Sequence, residues 1–242
     1  MRLALVYART QTLELIRIPG FSLATLAFPS LFFVLFGLPR AGSHPEVLVA
    51  SYAAFAVLGV GFFQFGVSAA IERVTPWAVF VRTLPAPAAA RIAGRTLSAL
   101  LFAALAVGAL VVVALSTTSA ALSAEEWLRL GVALLVGSLP FVMLGVAVAY
   151  WTSPKSALPV ANLLYMLLAY AGGLWTGPGG LPHAVARLSP YTPTRQWGDV
   201  LWPTVAGTAW GWQHWLALLG YTAAFGALAA WGYRRDEGQR FR

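Results

Sequence analysis

The chain has 242 residues, of which 59% are hydrophobic and only 10% charged. A soluble domain carries about a quarter charged residues, so these proportions exclude an ordinary water-soluble enzyme and require apolar surface facing lipid. The net charge is +8, from 16 basic residues with Lys155 the sole lysine, and the absence of cysteine removes disulfides, thiolate zinc sites and a catalytic thiol.

Residues 2–17, with Arg2, Arg9 and Arg17, read as a helix lying along the cytoplasmic interface. Six apolar segments reach the roughly 20 residues that a crossing needs, at about 18–38, 47–71, 94–116, 128–151, 157–175 and 213–233. The pattern predicts an all-α integral membrane protein with six transmembrane helices in one domain over 1–242. Barrel strands would instead be about 10 residues long with strict alternation. The first apolar run is too long for a signal-peptide core, and Leu38-Pro39-Arg40 is a poor cleavage site, so it reads as a crossing. Pro29, Pro140 and Pro159 are expected kinks within crossings. The second crossing contains Gln64 and is expected to tilt or break near Gly59 and Gly61.

Charge sets the orientation. With the N-terminus inside, six crossings return the C-terminus inside. Twelve basic residues then fall inside and four outside, while the acids split four and four. That excess is the positive-inside signal, not a nucleic-acid footprint, and predicts a multi-pass cell-membrane protein with both termini cytoplasmic.

Two connections stand out. The inside loop 72–93 is charged; Thr75-Pro76 reads as the start of a short helix over 76–84 carrying Trp77, Phe80 and Arg82, stopped by Pro85 and Pro87. The outside stretch 176–212 is broken by Pro178, Pro182, Pro190, Pro193 and Pro203. It reads as short re-entrant or external helices, with Trp197, Trp202, Trp210 and Trp212 at headgroup level.

Motifs for chemistry are sparse. Lys155 lacks the preceding glycines of a phosphate-binding loop, so the chain has no ATPase motif of that kind. Gly172-Gly173 and Gly177-Pro178-Gly179-Gly180 read as a membrane-exit turn, and Gly59 and Gly61 as close helix packing. His44, His183 and His214 have no ligand partner at metal-binding spacing, so neither a metal site nor a catalytic residue is assigned. The crossings offer only Gln64, Asn162 and hydroxyls such as Ser68, Ser98 and Ser138, without the buried charge of an ion-coupled pathway. Gln64 and Asn162 read either as pathway groups or as interhelical hydrogen bonders. The tail Tyr233–Arg242 reads as a solvated continuation of the last helix, contacting either anionic lipid or a partner.

In the loop after crossing two, Glu72-Arg73, Trp77, Arg82-Thr83-Leu84-Pro85 and Arg95 follow one another in an order that resembles the type-2 ATP-binding-cassette (ABC) permease family. Leu181-Pro182 and Ser189-Pro190-Tyr191-Thr192-Pro193 are similar to that family's short external helices, and the element order is similar along the whole chain. Pro76 stands where relatives often carry glycine. The resemblance implies the membrane subunit of an ATP-driven exporter, acting as a homodimer with two separate ATPase subunits that bind ATP and Mg; this chain itself would carry no cofactor. It implies a cytoplasmic coupling helix in 72–85, where Arg73 and Arg82 meet acidic groups of the ATPase, Trp77 and Phe80 anchor it, and Glu72 belongs to the same motif. Trp77 and Phe80 read alternatively as headgroup anchors. Crossings two and five would line the pathway, with Phe62, Phe63, Gln64 and Phe65 on one and Asn162, Tyr165 and Tyr170 on the other. That lining suits an amphipathic or hydrophobic substrate such as a drug, antibiotic or lipid. The alternatives are a non-transporting membrane assembly or regulatory protein and an ion-coupled secondary carrier.

Overall fold

The computed structural model describes residues 2–42, 44–76, 80 and 88–240, and the side chains among them except those of 19–21, 24, 88 and 237–240. Among the described residues every regular element is helical. Helix α1 is Arg2–Ile16. Helix α2, Pro19–Phe32, continues through a π turn at Phe33–Gly37 and a 3-10 turn at Leu38–Arg40. Helix α3 runs Pro45–Glu72 and α4 Ala88–Thr117. Helices α5, Ala124–Gly137, and α6, Leu139–Trp151, share one axis broken at Ser138. Helix α7 is Pro154–Ala171, α8 His183–Leu188, α9 Pro193–Val205 and α10 Trp212–Arg240.

The helix starts follow local chemistry. Proline, which has no N–H to lose, occupies the first turn of α2, α3, α6, α7 and α9. Ser123 and Glu126 form a capping box at α5, and Ser153 and Ser156 form one at α7, each satisfying two orphan backbone donors. The α7 cap places the start of that helix three residues before the expected crossing at 157. At its other end Gly173 adopts φ +77°, and the amide of Leu174 donates to Ala169 O at 3.0 Å. This glycine-dependent stop turns the glycine-rich stretch into a defined helix end.

Among the described residues four helices are long and apolar enough to cross a membrane: Pro45–Glu72, Ala89–Thr117, Ala124–Trp151 and Trp212–Asp236. The fifth expected crossing, α7, carries Lys155 and Asn162 and is not among them; nor is the first, of which Thr25–Arg40 forms a shorter apolar helix.

Helix α3 is the centre of the bundle, packed by α2, α4, α5, α7 and α9, while α6 packs along its second half. From Gly61 to Ser68 it widens into a π-helix. The expected break near Gly61 is therefore a change of pitch within an unbroken helix. Glycines let the α3 and α6 backbones meet there: a Cβ on Gly145 would lie 2.6 Å from Gly61 O.

One end of the bundle, the crown, carries the turn after α7 together with α8 and α9. Here the expectation for the tryptophans is corrected in part. Trp197 is fully buried and donates to Ala133 O at 3.0 Å, and Trp202, also buried, donates to Ser51 Oγ at 2.7 Å. Both are core residues, because their N–H groups find partners inside the bundle and need no headgroup. Trp212 remains exposed and Trp210 partly so. The opposite end, the tail end, carries α1, the loop after α3, the α6–α7 turn and the end of α10. Helix α1 lies on α4, where Thr12 Oγ1 bonds Ser98 Oγ at 3.0 Å, and leaves Leu3, Leu5, Val6, Leu13 and Ile16 outward.

Candidate functional site

The loop after α3 begins with two charged residues whose side chains point to different helices. Glu72, the last residue of α3, pairs with Arg95 on the second turn of α4. The same arginine donates to the backbone oxygen of Gln64 at 2.9 Å, so one guanidinium joins α4 to both the π segment and the end of α3. A delocalised cation with donors on several edges suits that bridging role better than an ammonium would.

Arg73 forms the second clasp. Its guanidinium pairs with Asp236 on α10 at 2.5 Å, donates to Thr152 O in the α6–α7 turn at 2.8 Å, and lies 5.9 Å from the Tyr150 ring centroid. Both charged side chains are largely enclosed, at 14% and 16% exposure. Arg73, expected to meet acidic groups of the ATPase, has Asp236 and Thr152 O as acceptors within the chain. Beyond it, the Thr75 hydroxyl donates back to Glu72 O at 2.8 Å. Pro76 and Phe80 are helical and Phe80 is 51% exposed, whereas Trp77, Arg82 and the stop expected at Pro85 and Pro87 lie outside the described residues.

The root of this loop is thus fastened to α4 by one ion pair, and to the α6–α7 turn and α10 by the other. A displacement of the loop would act on all three at once, because close charge-assisted bonds transmit direction as well as force.

The residues expected along a pathway divide into two groups. Phe62, Gln64, Phe65 and Tyr165 are buried within the chain; Tyr165 stacks on Phe55 with ring centroids 4.5 Å apart and donates to Phe55 O at 3.2 Å. Neither side-chain polar atom of Gln64 has a hydrogen-bond partner, an arrangement that leaves a desolvation cost uncompensated. Asn162 is exposed on an α7 face shared with Leu163 and Leu167, and Phe63 and Tyr170 are partly exposed. Phe63 meets the Tyr165 ring edge-on at 5.7 Å, which sets the π segment against the buried side of α7. Among the described residues no group of three or more His, Asp or Glu side chains lies together as a metal site.

Sequence reasoning named Arg95 but not its two bonds, and missed Asp236, Thr152 and Tyr150 as partners of Arg73. These pairings join positions far apart in the chain and leave no local signal. The capping box at α5 was readable, since Ser123 stands three residues before Glu126, whereas Ser156 is not the Glu or Gln by which the motif is recognised.

The sequence pattern of the ABC-2 type transporter family matches residues 2–197, from α1 into α9. The Bacillus subtilis (strain 168) protein YvfS, which carries the name of a transport permease, is 26% identical over 223 residues, covering 90% of this chain and 91% of that protein. No solved structure matches the chain. With its long apolar helices and a match over most of its length, the chain is a multi-pass membrane protein of the ABC-2 type transporter family, a transport permease component of an ABC transporter.

Proposed function

We propose that the chain is the six-crossing permease subunit of an exporter, working as a homodimer in the cell membrane, with each copy docked to a separate ATPase subunit that binds ATP and Mg. Helices α2 and α7 supply the two crossings beyond the four long apolar helices. From Pro19 through Arg40 the α2 rod is long enough, about 33 Å at 1.5 Å per residue. The twelve-to-four split of basic residues supports cytoplasmic termini and a tail end that faces inside.

The observation that carries this reading is the double clasp at the root of the 72–93 loop. The loop segment bearing Trp77, Phe80 and Arg82 is the coupling element, and Glu72 and Arg73 relay its movement through Arg95, Thr152 and Asp236. ATP-driven closure of the ATPase pair then switches the bundle between inward- and outward-facing forms, provided that ATP favours one of them. The exposed Asn162, Tyr170 and Phe63 line the route of an amphipathic or hydrophobic substrate between copies. Phe62, Gln64, Phe65 and Tyr165 back that surface.

Co-purification from the native membrane tests the reading. An ATP-binding subunit is expected with the native chain and is lost or weakened in Arg82→Ala and Phe80→Ala, while the bundle stays folded. Equal capture by the native chain and both variants would remove the coupling role. For the pathway, Asn162→Ala should change substrate-stimulated ATPase activity; unchanged stimulation would exclude that residue from the route.

A further inference from the structure

At the tail end, α6 and α10 carry an exposed group of aromatic and basic side chains that the permease mechanism does not use. Trp151, the last residue of α6, is held in a defined pose. Its indole N–H donates to Leu228 O at 3.0 Å, and a Cβ on Gly232 would lie 2.6 Å from Nε1, so glycine makes the seat. Trp231 meets it edge-on at 4.8 Å and is 62% exposed. The Arg235 guanidinium sits over the Trp151 ring, 5.4 Å from its centroid. Lys155, four residues on from Trp151, and Arg234 are exposed beside these in sequence. Among the described residues no carboxylate lies within ion-pair distance of Lys155, Arg234 or Arg235.

The position along α10 identifies the occupant. Leu216, Leu219 and Leu228 are exposed on this helix, which is the least buried of the four long apolar helices. The apolar surface ends at Trp231 and the basic residues begin three positions later. That order is the profile of the bilayer itself, with acyl chains beside leucine, the headgroup boundary at tryptophan and phosphate at arginine. A guanidinium stacked on an indole keeps its donor edges turned outward for a phosphate oxygen pair.

We propose that Trp151, Trp231, Arg235 and Lys155 form a binding site for the headgroup of an anionic phospholipid, its phosphate on Arg235 and its upper acyl chain along Trp231 and Leu228. The site is separate from the coupling clasp: Asp236 turns to Arg73, whereas Arg235 turns to Trp151. The leaflet it occupies follows the orientation of the termini, but the site itself does not depend on that orientation.

Native mass spectrometry of the purified full chain tests this, with dioleoyl-phosphatidylglycerol and dioleoyl-phosphatidylcholine offered in turn. The native chain should retain phosphatidylglycerol well above phosphatidylcholine. The preference should fall on the order of tenfold in the Lys155→Gln/Arg235→Gln double variant. The Arg2→Gln/Arg9→Gln variant, with equal loss of charge, should keep it. Arg235→Gln alone, at an exposed side chain, provides the same comparison if the double variant does not fold. Equal retention of the two lipids by the native chain, an unchanged preference in the Arg235 variants, or an equal loss in the Arg2/Arg9 control would each overturn the site.

Discussion

The two ends of the bundle are fastened by different chemistry. At the crown most ties are neutral and enclosed: Trp197 to Ala133 O, Trp202 to Ser51 Oγ, Thr194 Oγ1 to Leu168 O at 2.6 Å, and Tyr52 to Trp175 O at 3.1 Å, while Arg195, paired with Asp199, adds a charged one to Pro178 O at 3.1 Å. At the tail end both clasps are ion pairs, Arg73–Asp236 largely enclosed and Glu72 43% exposed in its pair with Arg95. A buried indole that loses its acceptor has no substitute partner, so the crown has one good arrangement. Ion pairs near solvent can separate and form again at modest cost, because water replaces part of what is lost. By this argument the Glu72–Arg95 pair makes the tail end the more adjustable of the two.

The largest effect should come from emptying the crown. Trp197→Ala removes a fully buried indole and should cost about 3–5 kcal/mol in a detergent unfolding titration. Trp212→Ala, at a 72% exposed side chain, should leave the midpoint in place and serves as its control. If the two variants unfold alike, the crown is not a packed cap.

Next is the joint between the ends. Gly145→Ala drives a methyl toward Gly61 O and should cost about 1–3 kcal/mol through strain, since neither backbone can yield independently. Gly108→Ala, where nothing lies within 4 Å of the new methyl, should be neutral or slightly stabilising. Equal melting shifts for the two would show that the π segment does not rest on this contact.

A double-mutant cycle on Arg73→Gln and Asp236→Asn should then give a coupling energy of about 0.5–3 kcal/mol, with the native fold retained in all four proteins. Additive effects would mean that the clasp does not hold. The smallest change belongs to the exposed Glu125–Arg129 pair on α5, where Glu125→Gln should shift stability by no more than about 0.5 kcal/mol.

Most of the architecture was legible because lipid makes a blunt demand. Long apolar runs must be helical there, and the expected 47–71 and 128–151 became Pro45–Glu72 and Ala124–Trp151. Hydropathy carries no information about which face of a segment meets protein. It therefore placed Trp197 and Trp202 at headgroup level, although tertiary partners for their N–H groups had drawn them inside. Nor does it report pitch: Gly61 signalled irregularity, but a π turn arises from packing against Gly145, 84 positions away. The loop charges were visible as a cluster, yet a cluster does not reveal its pairings. The sequence does not reveal that Arg73 pairs with Asp236, because that partner returns to it from the far end of the chain.

The central claim is that movement of the 72–93 loop reaches the bundle through the Arg73–Asp236–Thr152 clasp. Substrate-stimulated ATPase activity of the permease–ATPase complex in vesicles tests it most directly when the native chain is compared with Asp236→Asn. The account predicts a fall in stimulation of about fivefold or more while the ATPase subunit stays bound and the native fold is retained. Full stimulation in Asp236→Asn, with the pair broken and the complex intact, would contradict it.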